Sequence, residues 1–163
     1  MVDIREANLE ELTLVVDLWE QYRKEYEDSL IKEKETFRDF LIKDHGAREY
    51  ISNQFKDSIN SEDGILLAAF EDTEAIGFCH CYIKDNYQIY RPLKLGYIDI
   101  YFIKPQFRGK GISTRFRDLS NGWFKLKGIT QVTLDVYPEN KSAYNIYKKW
   151  GFEGMCINMK MNI

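Results

Sequence analysis

The chain has 163 residues and a formal net charge of -3, which at about 100 to 200 residues per domain amounts to one domain over residues 1–163. Its 44% hydrophobic and 15% aromatic residues, set against three prolines, exclude a disordered or collagen-like chain, because such chains lack the apolar area that offsets ordering entropy. No apolar run nears the ~20 residues that cross a bilayer, Met1 to Glu6 lacks the build of a signal peptide, and the basic residues are dispersed, so a cytoplasmic protein without membrane or nucleic-acid partners is expected.

Apolar and charged residues alternate from Val2 to Glu6, which predicts a short strand. Asn8 with Glu11 three positions on is an N-cap signature, and Leu9, Leu12, Val16, Trp19 and Tyr22 continue from it as one helical stripe. Glu33 to Phe55 keeps a helical rhythm, with Phe37, Phe40 and Leu41 spaced for burial and Gly46 as a break. From Gly64 the period changes. Ile65 to Phe70, a turn at Asp72-Thr73-Glu74, and Ala75 to Ile83 predict a hairpin. A polar connection from Lys84 to Lys94, carrying Asn86, Tyr87, Tyr90 and Pro92, leads to a strand over Gly96 to Ile103. Helical spacing returns from Gly111 to Lys127 with Ile112, Phe116, Leu119, Trp123 and Leu126, and Gly128 stops it. Val132, Leu134 and Val136 alternate as a strand, Asn140 to Trp150 is a short helix closed by Gly151, and Met155 to Met161 alternates as a last strand. This order predicts an α/β fold with mixed sheet pairing.

Cys79, Cys81 and Cys156 form an odd set, and a strand would point the first two to the same side. They are read as thiols in the core, not as a disulfide pair or a metal site, since an i, i+2 pair offers too few ligands. Charge is unevenly divided. Acids exceed bases by eight in residues 1–63 and fall short of them by five from Gly64 onward, so the first segment favours cations and the second anions.

The stretch Ile103-Lys104-Pro105-Gln106-Phe107-Arg108-Gly109-Lys110-Gly111-Ile112-Ser113-Thr114 runs from a strand through a glycine turn into a helix. Its glycines let the backbone approach a ligand, the first helical N–H groups point outward, and Arg108 and Lys110 add positive charge, so a phosphate or pyrophosphate belongs there. A dinucleotide fingerprint needs a third glycine where Thr114 stands, and the Walker A spacing is absent. The pattern Q/R-x-x-G-x-G/A is met by Gln106, Gly109 and Gly111. Downstream, Leu134, Val136, Asn140, Ala143, Ile146, Tyr147, Gly151 and Phe152 fit L-x-V-x-x-x-N-x-x-A-x-x-L/I-Y-x-x-x-G-F. On these two blocks the sequence resembles the GCN5-related N-acetyltransferase (GNAT) family, with Ser113 where many members have glycine.

The resemblance implies a mixed sheet with helices on both faces and central parallel strands splayed at the cofactor site. It implies acetyl-CoA as cofactor, held by Arg108, Gly109, Lys110, Gly111, Ile112, Ser113, Thr114, Asn140 and Tyr147, with a backbone N–H near Phe102 or Ile103 facing the carbonyl oxygen. Tyr147 matches the family's general acid toward the departing sulfur. Strict alternation on the strand puts Tyr97, Asp99 and Tyr101 on one face and Ile98, Ile100 and Phe102 on the other, which makes Asp99 the candidate base, with Tyr97, Tyr101 and water as competitors. His45 and His80 fall on no catalytic position of the family, and no metal is expected. The acceptor is expected to be a primary amine on a small molecule or peptide, cationic by the charge division, and a homodimer is plausible from the family. A non-catalytic module binding acyl-CoA or a partner, or an acyltransferase with another donor or acceptor, stays open.

Overall fold

Five strands pair in chain order: β1 (Val2–Glu6), β2 (Gly64–Glu71), β3 (Glu74–Asp85), β4 (Lys94–Ile103) and β5 (Val132–Leu134). They belong to a computed structural model that describes residues 2–41 and 45–161. β1 to β4 run antiparallel to their neighbours, whereas β4 and β5 are parallel, so the sheet is mixed as expected. Helices α1 (Leu12–Glu33) and α2 (Ala47–Asn60) cover one face, α3 (Ile112–Leu126) covers the other, and α4 (Lys141–Lys149) follows β5.

Local chemistry accounts for these elements. Asn8 caps the first helical turn: its Oδ1 accepts from Glu10 N at 2.9 Å and Glu11 N at 3.2 Å, and Glu11 Oε2 accepts from Asn8 N at 3.0 Å. β2 is buried on both sides, with Ile65, Leu67 and Ala69 in the core under α3 and Leu66, Ala68 and Phe70 in the core under α1 and α2. That two-sided burial is why its sequence is an unbroken apolar run. Each large side chain so buried stabilises the fold by about 1.5 to 3 kcal/mol.

The inward face of α3 is Ile112, Phe116, Ser120 and Phe124, whereas Leu119 and Leu126, expected inward, are exposed. The helix lies on the sheet along its i, i+4 row, and Gly96 of β4 makes the room: a Cβ there would come within 2.6 Å of the Phe124 ring. Buried Ser120 donates to Phe116 O at 2.8 Å, so its hydroxyl is satisfied.

Other boundaries differ from expectation. α1 runs to Glu33, and a 3-10 turn over Glu35–Phe40 follows it; the part of the expected helical stretch at 42–44 lies outside the described residues. The connection before β4 shortens to 86–93 because β3 extends to Asp85, and β5 stops at Leu134, before Val136. Met155 to Met161 forms no strand, and Met155 and Met159 are 94% and 88% exposed. Alternation makes a strand only where a neighbouring edge supplies hydrogen bonds, and this segment pairs with none; the outer edge of β5 is likewise unpaired among the described residues. No helix among the described residues is long and apolar enough to cross a membrane.

Candidate active site

The β4–β5 ladder holds only Gly96↔Val132, Tyr97↔Thr133 and Ile98↔Leu134. Beyond Ile98, β4 continues to Ile103 with no strand on that side among the described residues, which is the splay between the parallel strands. A β-bulge begins at the same point. Cys81 pairs with Ile98 and His80 with Ile100, so Asp99 is an extra residue opposite no partner.

The bulge corrects the strict alternation expected for β4. Ile98, Tyr101 and Ile103 pack in the core under α3, whereas Ile100 and Phe102 face α1 and α2; Tyr97 and Asp99 share that second side, touching Tyr82 and His80. The backbone swaps sides as well. Gly96 N donates toward the β5 side, to Gln131 O at 3.0 Å, while Lys104 N donates toward β3, to Ile76 O at 2.9 Å. Counting back from Lys104 by twos, Phe102 faces β3, and the N–H of Tyr101 and Ile103 faces the gap. Of the two expected donors, Ile103 is the one turned to the gap; buried Phe102 contributes its ring.

From Ile103 the chain passes through the Pro105–Phe107 turn to Gly109 (φ +76°) and Gly111 (φ +80°). Both glycines take the left-handed conformation that side chains resist, and nothing lies within 4 Å of where either Cβ would be. The glycines are therefore required by the turn's conformation and not by packing. The first hydrogen bond entering α3 is Arg115 N to Gly111 O at 3.2 Å. N–H groups from Gly109 through Thr114 thus have no acceptor among the described residues. Such a row at a helix N-terminus has the chemistry to hold an anionic pyrophosphate. Ile112 is buried and offers only its backbone, and Ser113 and Thr114 lie half-buried and exposed on the first turn.

Arg108 and Lys110 take other partners. Arg108 donates through Nε to Ile103 O at 2.9 Å and pairs with Glu25 of α1 at 2.5 Å. It ties the end of β4 to α1. Lys110 Nζ lies 5.0 Å from the centre of the Phe107 ring and is exposed.

On the β5 side, Asn140 caps α4, its Oδ1 accepting from Ala143 N at 3.2 Å. Tyr147 is half-buried, with its ring 5.6 Å from Trp150 and 6.0 Å from Phe152. Burial, with the Cys79 thiol nearby, pushes its phenol well above the ordinary value, so the hydroxyl stays protonated in neutral solution. Tyr22, Tyr26 and Tyr137 form an adjoining aromatic wall with Phe102: ring centres are 5.3 Å apart for Tyr22–Tyr26, 5.8 Å for Tyr26–Tyr137 and 5.8 Å for Tyr22–Phe102. Cys79 and Cys81 do point to one side, their sulfurs 3.5 Å apart beside Ser120. The Cys81 thiol is pushed up by that contact and by burial, which leaves it a poor nucleophile.

Asp99 Oδ2 accepts from His80 Nδ1 at 2.9 Å, and His80 Nε2 meets Ser58 Oγ of α2 at 2.8 Å. Sequence reasoning set His80 aside; the available signal was a histidine inside an apolar strand that pairs with the strand carrying Asp99. Tyr97 OH donates to Asp135 Oδ2 at 2.7 Å, and Lys84 Nζ lies 3.8 Å from the Tyr97 ring centre. Asp99, Asp135, Tyr82 and Tyr97 thus form an anionic and aromatic patch on the α1–α2 side of the gap, opposite the glycine turn's side in charge.

A family model described as the acetyltransferase (GNAT) family matches residues 13–152. The spermidine N(1)-acetyltransferase of Thermoplasma acidophilum is 26% identical over 161 residues, covering 93% of this chain and 88% of its own. Among solved structures, the aminoglycoside N-acetyltransferase AAC(6')-Iy in complex with CoA aligns with a TM-score of 0.76 at 18% identity, over 100% of this chain and 95% of its own. A predicted acetyltransferase from Clostridium acetobutylicum solved with acetyl-CoA gives 0.74 at 22%, over 99% and 96%. The likenesses in structure carry the fold, and the match of the family model over most of the length carries the lineage: this chain belongs to the acetyltransferase (GNAT) family.

Proposed function

We propose that the protein is an acetyl-CoA-dependent N-acetyltransferase that acetylates a cationic primary amine. The observation that carries this is the row of N–H groups without acceptors from Gly109 to Thr114, at the end of the strand whose neighbour has splayed away. Those groups would hold the pyrophosphate, Asn140 and Tyr147 would line the opposite wall, and the N–H groups of Ile103 and Tyr101 are the donors turned to a carbonyl oxygen in the gap. When bound, acetyl-CoA supplies an acyl thioester with a thiolate leaving group. Asp99 takes a proton from the incoming ammonium, and Tyr147, a neutral phenol, donates its proton to the departing sulfur. Lys110 adds positive charge beside the turn, and Arg108 acts through the end of β4.

The acceptor preference rests on the patch and not on the bulk charge of the first segment. Asp17 and Glu20 pair with Arg48, Glu27 with Arg23, Glu25 with Arg108 and Glu11 with Arg5, so much of that acidic surplus is neutralised on helix surfaces. Asp99 and Asp135 give an ammonium counter-charge and Tyr82 a ring beside it, while the Tyr97 ring already faces Lys84. The spermidine and aminoglycoside acetyltransferases to which the chain is similar are named for polycationic amines. The test measures thiol release from acetyl-CoA across polyamines, aminoglycosides, amino acids and peptide N-termini. Turnover is expected for cationic amines. CoA binding without turnover of any amine would leave a binding module instead.

As its partner we propose a second copy of the chain. The exposed, alternating Met155, Ile157, Met159 and Met161, together with the unpaired outer edge of β5, support a strand supplied between protomers. Light scattering on the purified protein reads the mass directly.

A further inference from the structure

We propose that His80, braced by Ser58, is the positioning residue that sets the base: it fixes one oxygen of Asp99 and leaves the other for the acceptor amine. The inference rests on Asp99 as base and adds two residues that no motif assigns. The network runs from the core outward. Ser58 and His80 are buried at 9% and 1% exposure, and the Asp99 side chain is 31% exposed, so the network opens to solvent at its acidic end.

As a base Asp99 must accept, so in the proposed arrangement His80 Nδ1–H donates to Oδ2 at 2.9 Å, and with Nε2 carrying no proton the Ser58 hydroxyl donates to it at 2.8 Å. Asp99 Oδ1 has no hydrogen-bond partner among the described residues. It is the atom that takes the proton: an ammonium N–H bond breaks, an O–H bond forms at Oδ1, and the amine keeps its electron pair for the thioester carbon. The connectivity is that of a hydrolase triad, but here the serine lies at the closed end, so the direction of use is reversed.

The fold makes specific room for this contact. A Cβ on Gly64 would fall 2.6 Å from both Cβ and Oγ of Ser58, so α2 approaches β2 closely enough for Ser58 to reach β3 only because residue 64 is glycine. Alternation along β4 supplies the other half: Asp99 shares the side of Tyr97, and the β-bulge leaves it opposite no β3 residue, against His80. Phe55, with its ring 5.0 Å from the imidazole, and Tyr82 at 5.7 Å hold the ring in place.

Variants that keep one ring nitrogen at a time provide the test. Asparagine at 80 keeps an amide N–H near the place of Nδ1, and glutamine keeps one near Nε2. With the best amine of the panel above, His80→Gln is expected to lower kcat/KM for the amine by about 10- to 100-fold. His80→Asn should stay within about 5-fold of the parent, and acetyl-CoA affinity should hold in both. Asp99→Asn should lose at least as much as His80→Gln. The chain has only two histidines, so a 15N imidazole spectrum of the intact protein reads His80 without any substrate: an Nδ1–H tautomer whose far-downfield proton disappears in Asp99→Asn and persists in Ser58→Ala. Equal rates for the two His80 variants beside an inactive Asp99→Asn would overturn the positioning role and leave Asp99 as base. A parental rate in Asp99→Asn would remove the base, and this inference with it. Should the His80 variants fail to fold, an Nε2–H or doubly protonated ring in the parent spectrum overturns the proposal by itself.

Discussion

Valine in place of Gly111 separates the turn's two tasks, because the structure assigns each a different energy. Gly111 sits at φ +80° and ψ 0° with nothing within 4 Å of its missing Cβ. In the protein alone, the substitution therefore costs only backbone strain, about 1 to 3 kcal/mol. For a chain of this length that is a fall in Tm of about 2 to 10 °C. If the turn escapes the strain by leaving the left-handed region, the N–H groups of Gly111 and Ile112 leave the row. At about 1.5 to 3 kcal/mol for each hydrogen bond to a charged acceptor, two such losses weaken CoA by roughly 10^2- to 10^4-fold. Gly122→Ala is the control. That glycine is exposed inside α3 with equally open surroundings, so alanine should stabilise the helix by about 0.5 to 1 kcal/mol and leave binding alone. Thermal melts and calorimetric titration with CoA read the two quantities on the same samples. A Gly111→Val protein with lowered Tm and a Kd within about 3-fold of the parent would refute the placement of the pyrophosphate on this row.

Tyr147→Phe should lower kcat by roughly 10- to 1,000-fold with acetyl-CoA affinity within a few-fold, since the hydroxyl acts as the sulfur departs; an unchanged kcat returns Tyr147 to packing. Burial pushes Tyr22 up to about 12, while in the unfolded chain it titrates near ~10, so the unfolded state releases its proton first and stability falls as pH rises between those values. Urea unfolding at pH 9 and pH 11 should show that fall, and Tyr22→Phe should reduce it by up to about 1.4 kcal/mol per pH unit; an identical slope in the variant counts against the assignment. For the best cationic amine, kcat/KM should drop as salt rises while that of a neutral amine does not; a panel in which neutral amines win rejects the role given to Asp99 and Asp135. Serine at Met155, Ile157 and Met159 together should convert a dimer to monomers in light scattering, and a parental mass in that variant removes the proposed strand pairing.

What was legible in the sequence was local. Asn8 and Glu11 meet within one turn, the unbroken apolar run of β2 reports two covered faces, and the glycines at 109 and 111 serve a conformation that needs no distant partner. Features decided between elements were harder to see. The inward row of α3 depends on where Gly96 leaves space for Phe124, a contact between residues 28 positions apart. Met155 to Met161 carries a strand's alternation, but an alternating segment becomes a strand only beside an open edge, and one chain does not bring the two together.

The bulge at Asp99 shows how much one such long-range decision controls. With unbroken pairing, the even-numbered residues of β4 would keep facing β5 as Gly96 does, and Phe102, not Ile103, would offer its N–H to the gap. Asp99 would keep the side of Tyr97, and Tyr101 and Ile103 would leave the core under α3 and join it on the α1–α2 side. The extra residue makes both changes at once: it turns the Ile103 N–H to the gap and returns Tyr101 and Ile103 to the core under α3, while Asp99 stays on the side of Tyr97, against His80. Period-2 reading fails at this residue because a bulge is a property of the β3–β4 pair, fixed when Cys81 takes Ile98 and His80 takes Ile100. The donor in the gap and the inward facing of Tyr101 and Ile103 therefore share one structural cause, and a change that restored regular pairing here should disturb both together.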